Sequence, residues 1–145
     1  MKYILAIDQS TSATKLMLFD EQEKLCGRDS LDHQQFYPQL GWVEHDAHEI
    51  MQNVYTGAAQ LLEKTEKEKN DVVSVAITNQ RETTVIWDKE TGRPIYNAIV
   101  WQCRRTSEMI DDLVERGCSE MIREKTGLIP DAYFSGSKIR WILDN

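Results

Sequence analysis

The chain of 145 residues has the size of one domain and can bury roughly 70% of the surface it would expose unfolded. Its 41% hydrophobic and 28% charged residues describe a globular protein and argue against a disordered tail. A net charge of −7 argues against non-specific binding to nucleic acid or an anionic membrane, because the broad field repels phosphates. It leaves room for a nucleotide held by local backbone amides and a metal.

In chain order, residues 3–7 read as a strand that ends abruptly at Asp8, too short a run for a signal peptide or a membrane span. Residues 15–19 form a second apolar run after a hydroxyl-rich link, and 25–31 a weaker third strand. Together they predict a hairpin extended to a meander. Residues 32–44 mix polar, aromatic, proline and glycine residues without a period, as a structured loop does. Asp46, with Glu49 three residues on, has the spacing of a helix N-cap and its capping-box partner. Ile50, Met51, Val54, Ala58, Leu61 and Leu62 then recur at helical spacing on one face, and the charged stretch 63–70 ends that helix in solvent.

The near-continuous apolar run 72–77 predicts a buried central strand. A further strand at 83–87, a turn at 88–93 and a short strand at 98–101 follow. Thr106 is placed to cap a helix through Met109, Ile110, Leu113 and Val114, which Gly117 terminates, and shorter helices are expected at 119–124 and 135–143. Strands that precede and flank helices define an α/β class with a mixed sheet. Cys26, Cys103 and Cys118 are odd in number and show no paired spacing, which favours reduced thiols in a cytoplasmic protein.

Two polar stretches carry candidate chemistry. Asp8 at a strand end, followed by Thr11, Ser12 and Thr14, offers a metal-directed carboxylate and several donors for the β- and γ-phosphates of a nucleotide. The same residues suit a polar turn that bonds its own backbone. The cluster Thr78-Asn79-Gln80-Arg81-Glu82-Thr83-Thr84 lies between two apolar runs, and sheet ends are where α/β proteins hold ligands. A carboxylate there accepts from two adjacent hydroxyls and a guanidinium donates to the same oxygens, as a polyol requires. The alternative is a hairpin turn with a surface ion pair. Trp101 suits either a polyol's carbon face or the core, and Tyr133 either the ligand or a loop anchor. His33, His45 and His48 are too poorly spaced for a metal triad and are expected in loops or facing solvent.

Read together, the segments DQSTSATK (8–15), GWVEHD (41–46), ITNQRETTVIW (77–87), YNAIVWQCRRT (96–106) and 126–145 resemble the glycerol-phosphorylating branch of the FGGY carbohydrate kinase family, in the actin-like superfamily. The resemblance covers essentially the whole chain, and the QRE and WQCRR segments are the specific ones. It implies a partial ribonuclease H-like, actin-like domain with a mixed sheet and flanking helices. It also implies transfer of the ATP γ-phosphate to a terminal hydroxyl of glycerol, with Mg2+, to give glycerol 3-phosphate. By position, Arg81, Glu82 and Tyr133 would hold the glycerol hydroxyls and Trp101 would pack on its carbons. Thr11, Ser12, Ala13 and Lys15 would fall on the nucleotide-phosphate hairpin, with Asp8 near the metal.

The family pattern has glycine at Ser10, arginine at Lys15 and proline at Ala132. Such kinases are also roughly three times longer, with a catalytic-base aspartate and an adenine-binding domain expected beyond Asn145. The chain therefore reads as the N-terminal part of a first actin-like domain, inactive alone. A free-standing polyol-binding or interaction module and a fragment of another FGGY sugar kinase are the alternatives. Apolar surface left uncovered in such a piece would favour a homo-oligomer.

Overall fold

The computed structural model describes Met1–Asn145, and its elements follow in chain order as β1 (Tyr3–Gln9), β2 (Ala13–Asp20), β3 (Leu25–Asp32), β4 (Gln35–Phe36), β5 (Glu44–His45), α1 (Ala47–Lys64), β6 (Val72–Thr78), β7 (Ala98–Ile99), α2 (Ser107–Glu115), α3 (Ser119–Thr126) and α4 (Ser135–Asp144). The chain divides into two units, Met1–Gln34 with Asp46–Gln80, and Gln35–His45 with Arg81–Asn145.

The first unit is a four-stranded sheet in the order β3-β2-β1-β6, with α1 packed on β2 and β3. β1 and β2 pair antiparallel from Tyr3↔Asp20 to Gln9↔Thr14, and β1 pairs parallel to β6. Alternation puts Tyr3, Leu5 and Ile7 of β1 and Leu16 and Leu18 of β2 on one buried face, where Leu61 of α1 joins them. Each such leucine contributes roughly 1.5–3 kcal/mol by leaving water. Helix and sheet approach closely at Gly57, where an added Cβ would lie 2.5 Å from Leu16 Cδ1 and 2.8 Å from Leu31 Cδ1. The β2–β3 turn is tied by Asp20 Oδ1, which accepts from the amides of Gln22 and Lys24.

Asp46 caps α1 as expected, its carboxylate accepting from the His48 amide at 2.8 Å. Glu49 does not close a capping box: both its oxygens accept from the Gln34 amide at 3.1 Å, which fastens the end of β3 to the helix instead. The helix ends in a Schellman motif, with Glu66 left-handed at φ 54° and the Lys67 amide donating to the Leu62 carbonyl.

The run at 72–77 forms a strand, but not a buried central one. β6 lies at the edge of the sheet, with Val75 53% and Ile77 71% exposed. An apolar run reports what a strand would bury, and no element of this unit covers that edge.

The second unit contains a three-stranded antiparallel sheet, β4-β5-β7, of two-residue strands, so the stretch read as a loop carries strand pairing. The expected strand at 83–87 reduces to two single bridges, Thr84↔Ile99 and Trp87↔Pro94, and the strand at 98–101 to Ala98–Ile99. The turn between them forms as expected, closed by Asp88 Oδ1, which accepts from the amides of Glu90 and Thr91 and the Thr91 hydroxyl. Val43, Ile99, Val100, Cys103 and Ile142 make the core, bordered by Trp42, Tyr96, Trp101 and Trp141.

α2 ends in a second Schellman motif at Gly117, φ 75°. Thr106 precedes α2 but does not cap it with its side chain, because its buried hydroxyl pairs with Ser137 Oγ at 2.8 Å. The histidine expectation fails at His45 alone, since His33, though buried, lies in the loop between β3 and β4. His33 and His45 are buried, His45 fully so because it lies on the middle strand of the small sheet, whereas His48 is exposed.

Candidate functional site

The candidate residues fall into two sets, one in each unit. Asp8, Thr11, Ser12, Ala13 and Lys15 belong to the first unit and Arg81, Glu82, Trp101 and Tyr133 to the second.

The first set lies on the β1–β2 hairpin. The ladder closes at Gln9↔Thr14, where Thr14 Oγ1 donates to Gln9 Oε1 at 2.7 Å. Ser10 spans the tip: its amide and hydroxyl donate to the Ala13 carbonyl at 3.0 and 2.9 Å, and its Oγ accepts from the Ala13 amide at 3.2 Å. The Ser10 carbonyl in turn accepts from the side-chain amides of Gln9 and Gln80, both at 3.2 Å. The hairpin is thus firmly shaped, but the Ala13 amide, a natural phosphate donor, is already engaged within it. Ser12 and Lys15 are exposed, and Lys15 Nζ lies 4.0 Å from Asp8 Oδ2. Mg2+ keeps most of its waters and takes one or two carboxylates plus phosphate oxygens, so Asp8 is the residue of this set able to hold it, against the repulsion of the Lys15 ammonium. No cluster of three or more His, Cys, Asp or Glu side chains forms a metal cage.

The second set is gathered by long-range contacts. Glu82 adopts a left-handed backbone, φ 62°, a conformation costing a non-glycine residue about 1 kcal/mol and common at ligand-binding positions. Its Oε2 accepts from both the amide and the hydroxyl of Ser135, at 2.9 and 2.7 Å. The adjacent Thr83 hydroxyl accepts from the Trp101 amide at 3.3 Å. Trp101 and Tyr133, both half-buried, meet edge to face with centroids 5.9 Å apart, and Phe134 meets the other side of Tyr133 at 5.1 Å. Arg81, next to Glu82, is exposed.

The loop carrying Tyr133 is built around Lys138, which sequence reasoning missed. This lysine is fully buried, and its Nζ donates to the carbonyls of Ala132 at 2.8 Å, Tyr133, and Phe134 at 3.3 Å. Burial pushes its ammonium down to about 8, against the attraction of Glu82 and Asp131. Asp131 Oδ1 accepts from the Tyr133 amide at 2.7 Å and pairs with Arg104 at 2.9 Å; the amide bond first, and the guanidinium with it, hold this carboxyl below its usual range. Ala132 is itself buried.

A second missed cluster lies in the same unit. Glu44 and Arg105 form an ion pair at 2.6 Å with side chains 4% and 0% exposed. Glu44 also accepts from Tyr96 and Asn97, both at 2.9 Å. Burial alone would raise the Glu44 carboxyl; the bonds from Asn97, Arg105 and Tyr96 outweigh it and hold it low. The Arg105 guanidinium lies 4.0 Å from the Trp42 ring and 4.6 Å from Trp141, and its Nε donates to Cys103 Sγ at 3.1 Å. The segments GWVEHD and WQCRR are both among those that carry the family resemblance, but nothing in either says that its charge pairs with the other's.

A carboxylate oxygen already fixed by Ser135, an exposed guanidinium next to it in sequence and an aromatic pair in the same unit are groups with which a small neutral polyol can pair. The chain belongs to the FGGY family of carbohydrate kinases, whose N-terminal domain matches residues 3–145. Within that family it is 51% identical over 145 residues to glycerol kinase 2 of Thermotoga maritima, a match covering 100% of this chain and 29% of that protein. A solved structure of Plasmodium falciparum glycerol kinase with ADP superimposes with TM-score 0.90 at 39% identity, covering 100% of this chain and 29% of that one. Xylulose kinase from Lactobacillus acidophilus reaches the same TM-score and coverage at 22% identity, a likeness of fold alone. The expected α/β architecture with a mixed sheet is therefore that of these kinases, and the chain spans 29% of the length of the relatives it matches.

Proposed function

We propose that these 145 residues are the glycerol-holding part of an ATP-dependent glycerol kinase, the N-terminal part of its first actin-like domain, working in the cytoplasm. The observation that carries this reading is the gathering of Glu82, Trp101 and Tyr133 at Ser135 and the loop that precedes it. Ser135 occupies Glu82 Oε2, which leaves the other oxygen and the Arg81 guanidinium for adjacent glycerol hydroxyls. Trp101 and Tyr133 offer apolar edges to the carbons between them.

On the hairpin, Thr11, Ser12, Ala13 and Lys15 would face the β- and γ-phosphates, and Asp8 would take Mg2+ through its waters. Held there, Mg2+ would supply positive charge to offset that of the phosphates during transfer. Transfer also needs a general base within hydrogen-bond reach of the attacking hydroxyl and a fixed adenosine. Among the candidate residues of this chain none serves those two roles, so binding without turnover is the expected behaviour.

Glycerol titrated into the chain should bind saturably. Glu82→Ala should weaken it by at least tenfold, as loss of charge-assisted hydrogen bonds worth roughly 1.5–3 kcal/mol requires. Equal affinity in the two proteins would overturn the glycerol site, and glycerol 3-phosphate made from ATP by the chain alone would overturn its inactivity.

A further inference from the structure

We infer that Lys138 and Ser135 are positioning residues of the polyol site, Lys138 setting the Tyr133 ring and Ser135 aiming the Glu82 carboxylate; this deepens the glycerol reading above and rests on it. Three successive carbonyls, of Ala132, Tyr133 and Phe134, turn toward a single ammonium that no water reaches. Three carbonyls cannot converge in that way without a cation or a set of donors between them. The Tyr133 peptide is therefore gripped from both sides, its amide by Asp131 and its carbonyl by Lys138. That grip leaves the ring little choice but the slot between Trp101 and Phe134.

Ser135 is the first residue of α4, where the helix amides lack internal partners. Its amide and its hydroxyl both point at Glu82 Oε2, so one carboxylate oxygen is committed and the other is held at a fixed orientation. Lys138 lies three residues further along the same helix and holds the segment that leads into it. The same ammonium therefore indexes the ring and the serine together. Neither residue needs to touch the ligand. An arginine's planar fork does not offer three donors from one atom, so the geometry calls for lysine in particular.

The test is carried out on the whole chain with Lys138→Met, Ser135→Ala and the unsubstituted protein. Two ring contacts are followed by nuclear Overhauser effects: Trp101 with Tyr133, in the proposed site, and Trp42 with Trp141, whose centroids lie 5.3 Å apart elsewhere in the same unit. Lys138→Met should lose the first contact, keep the second and weaken glycerol at least tenfold. Ser135→Ala should keep both contacts and weaken glycerol severalfold. A Lys138→Met protein that keeps the Trp101–Tyr133 contact overturns the assignment of that lysine. One that loses the Trp42–Trp141 contact as well overturns it equally, showing a residue needed for folding and not for positioning. Ser135→Ala with unchanged affinity overturns the role of Ser135. If the unsubstituted chain binds no glycerol, the polyol reading fails, while the ring contacts still decide whether Lys138 sets Tyr133.

Discussion

The two units of this chain are held together by different means. The first is held by backbone ladders and an aliphatic layer: β1, β2 and β3 pair over seven or eight residues each, and Leu16, Leu18 and Leu61 fill the space under α1. The second has strands of two residues and draws its order from side chains that bridge distant segments. Glu44 reaches Arg105, Ser135 reaches Glu82, Thr106 reaches Ser137 and Lys138 gathers its own loop. Ladders tolerate the loss of one side chain, because their bonds are shared along the strand. Bridges do not, because each leaves a buried charge or dipole behind.

The largest expected effect follows from that difference. Arg105→Met strands the Glu44 carboxylate in the interior with only Tyr96 and Asn97 as donors. Removing one partner of such a pair costs about 3–5 kcal/mol, which should lower the melting temperature by about 10 °C. Hydrogen exchange sharpens the comparison. The amides of Val100 and Arg104, bonded to the carbonyls of Val43 and Gly41, should exchange much faster, while those of the β1–β2 ladder keep their protection. Uniform loss of protection across both ladder and bridges would show that the two units share one stability.

The next effect is read against pH. Native Lys138 releases its proton near 8, whereas in the unfolded chain it does so at 10.5. Between those values the unfolded chain holds one more proton than the native chain, so native stability should rise with pH across the window. The gain reaches up to about 3 kcal/mol relative to Lys138→Met, and below pH 8 the buried charge carries its full desolvation cost. Glu82, Cys103 and Asp131 face the ammonium and oppose this shift, and Arg104 adds to it. Urea unfolding of both proteins at pH 7.5, 9 and 10.5 checks it. A stability difference that stays constant with pH would mean that the three carbonyls keep the lysine charged throughout.

The same division explains what could be read in the sequence. β1, β2 and α1 were legible because period-two and period-3.6 patterns and the Asp46 cap are local signals. β6 was legible as a strand, but its exposure was not, because apolar character reports a preference and not the presence of a cover. In the second unit the pairs that matter lie 53 and 61 residues apart, Glu82 with Ser135 and Glu44 with Arg105, and no periodicity encodes them. Arg81, Glu82, Trp101 and Tyr133 became candidates together through the family resemblance. Ser135 and Lys138 stayed invisible because a serine and a lysine in an amphipathic helix look like solvent-facing residues.

Ser10 gives the smallest effect and separates the two sets of candidate residues most finely. The family resemblance implies glycine at this position, and the obvious concern is a left-handed backbone that serine resists. Ser10 is not among the residues with positive φ, so the backbone is not where the substitution acts. Its hydroxyl is: Oγ accepts from the Ala13 amide and donates to the Ala13 carbonyl, closing the hairpin on itself. A phosphate approaching that amide must displace a hydrogen bond worth about 1 kcal/mol, or roughly fivefold in affinity. Ser10→Gly should therefore bind MgADP a few-fold more tightly and show a larger shift of the Ala13 amide resonance on titration. It should lose about 0.5–1 kcal/mol of stability to the greater freedom of the unfolded glycine. Glycerol affinity, which belongs to the other unit, should not move. If MgADP shifts the Ala13 amide equally in both proteins, the hydroxyl is no competitor and the hairpin meets its phosphates through other donors.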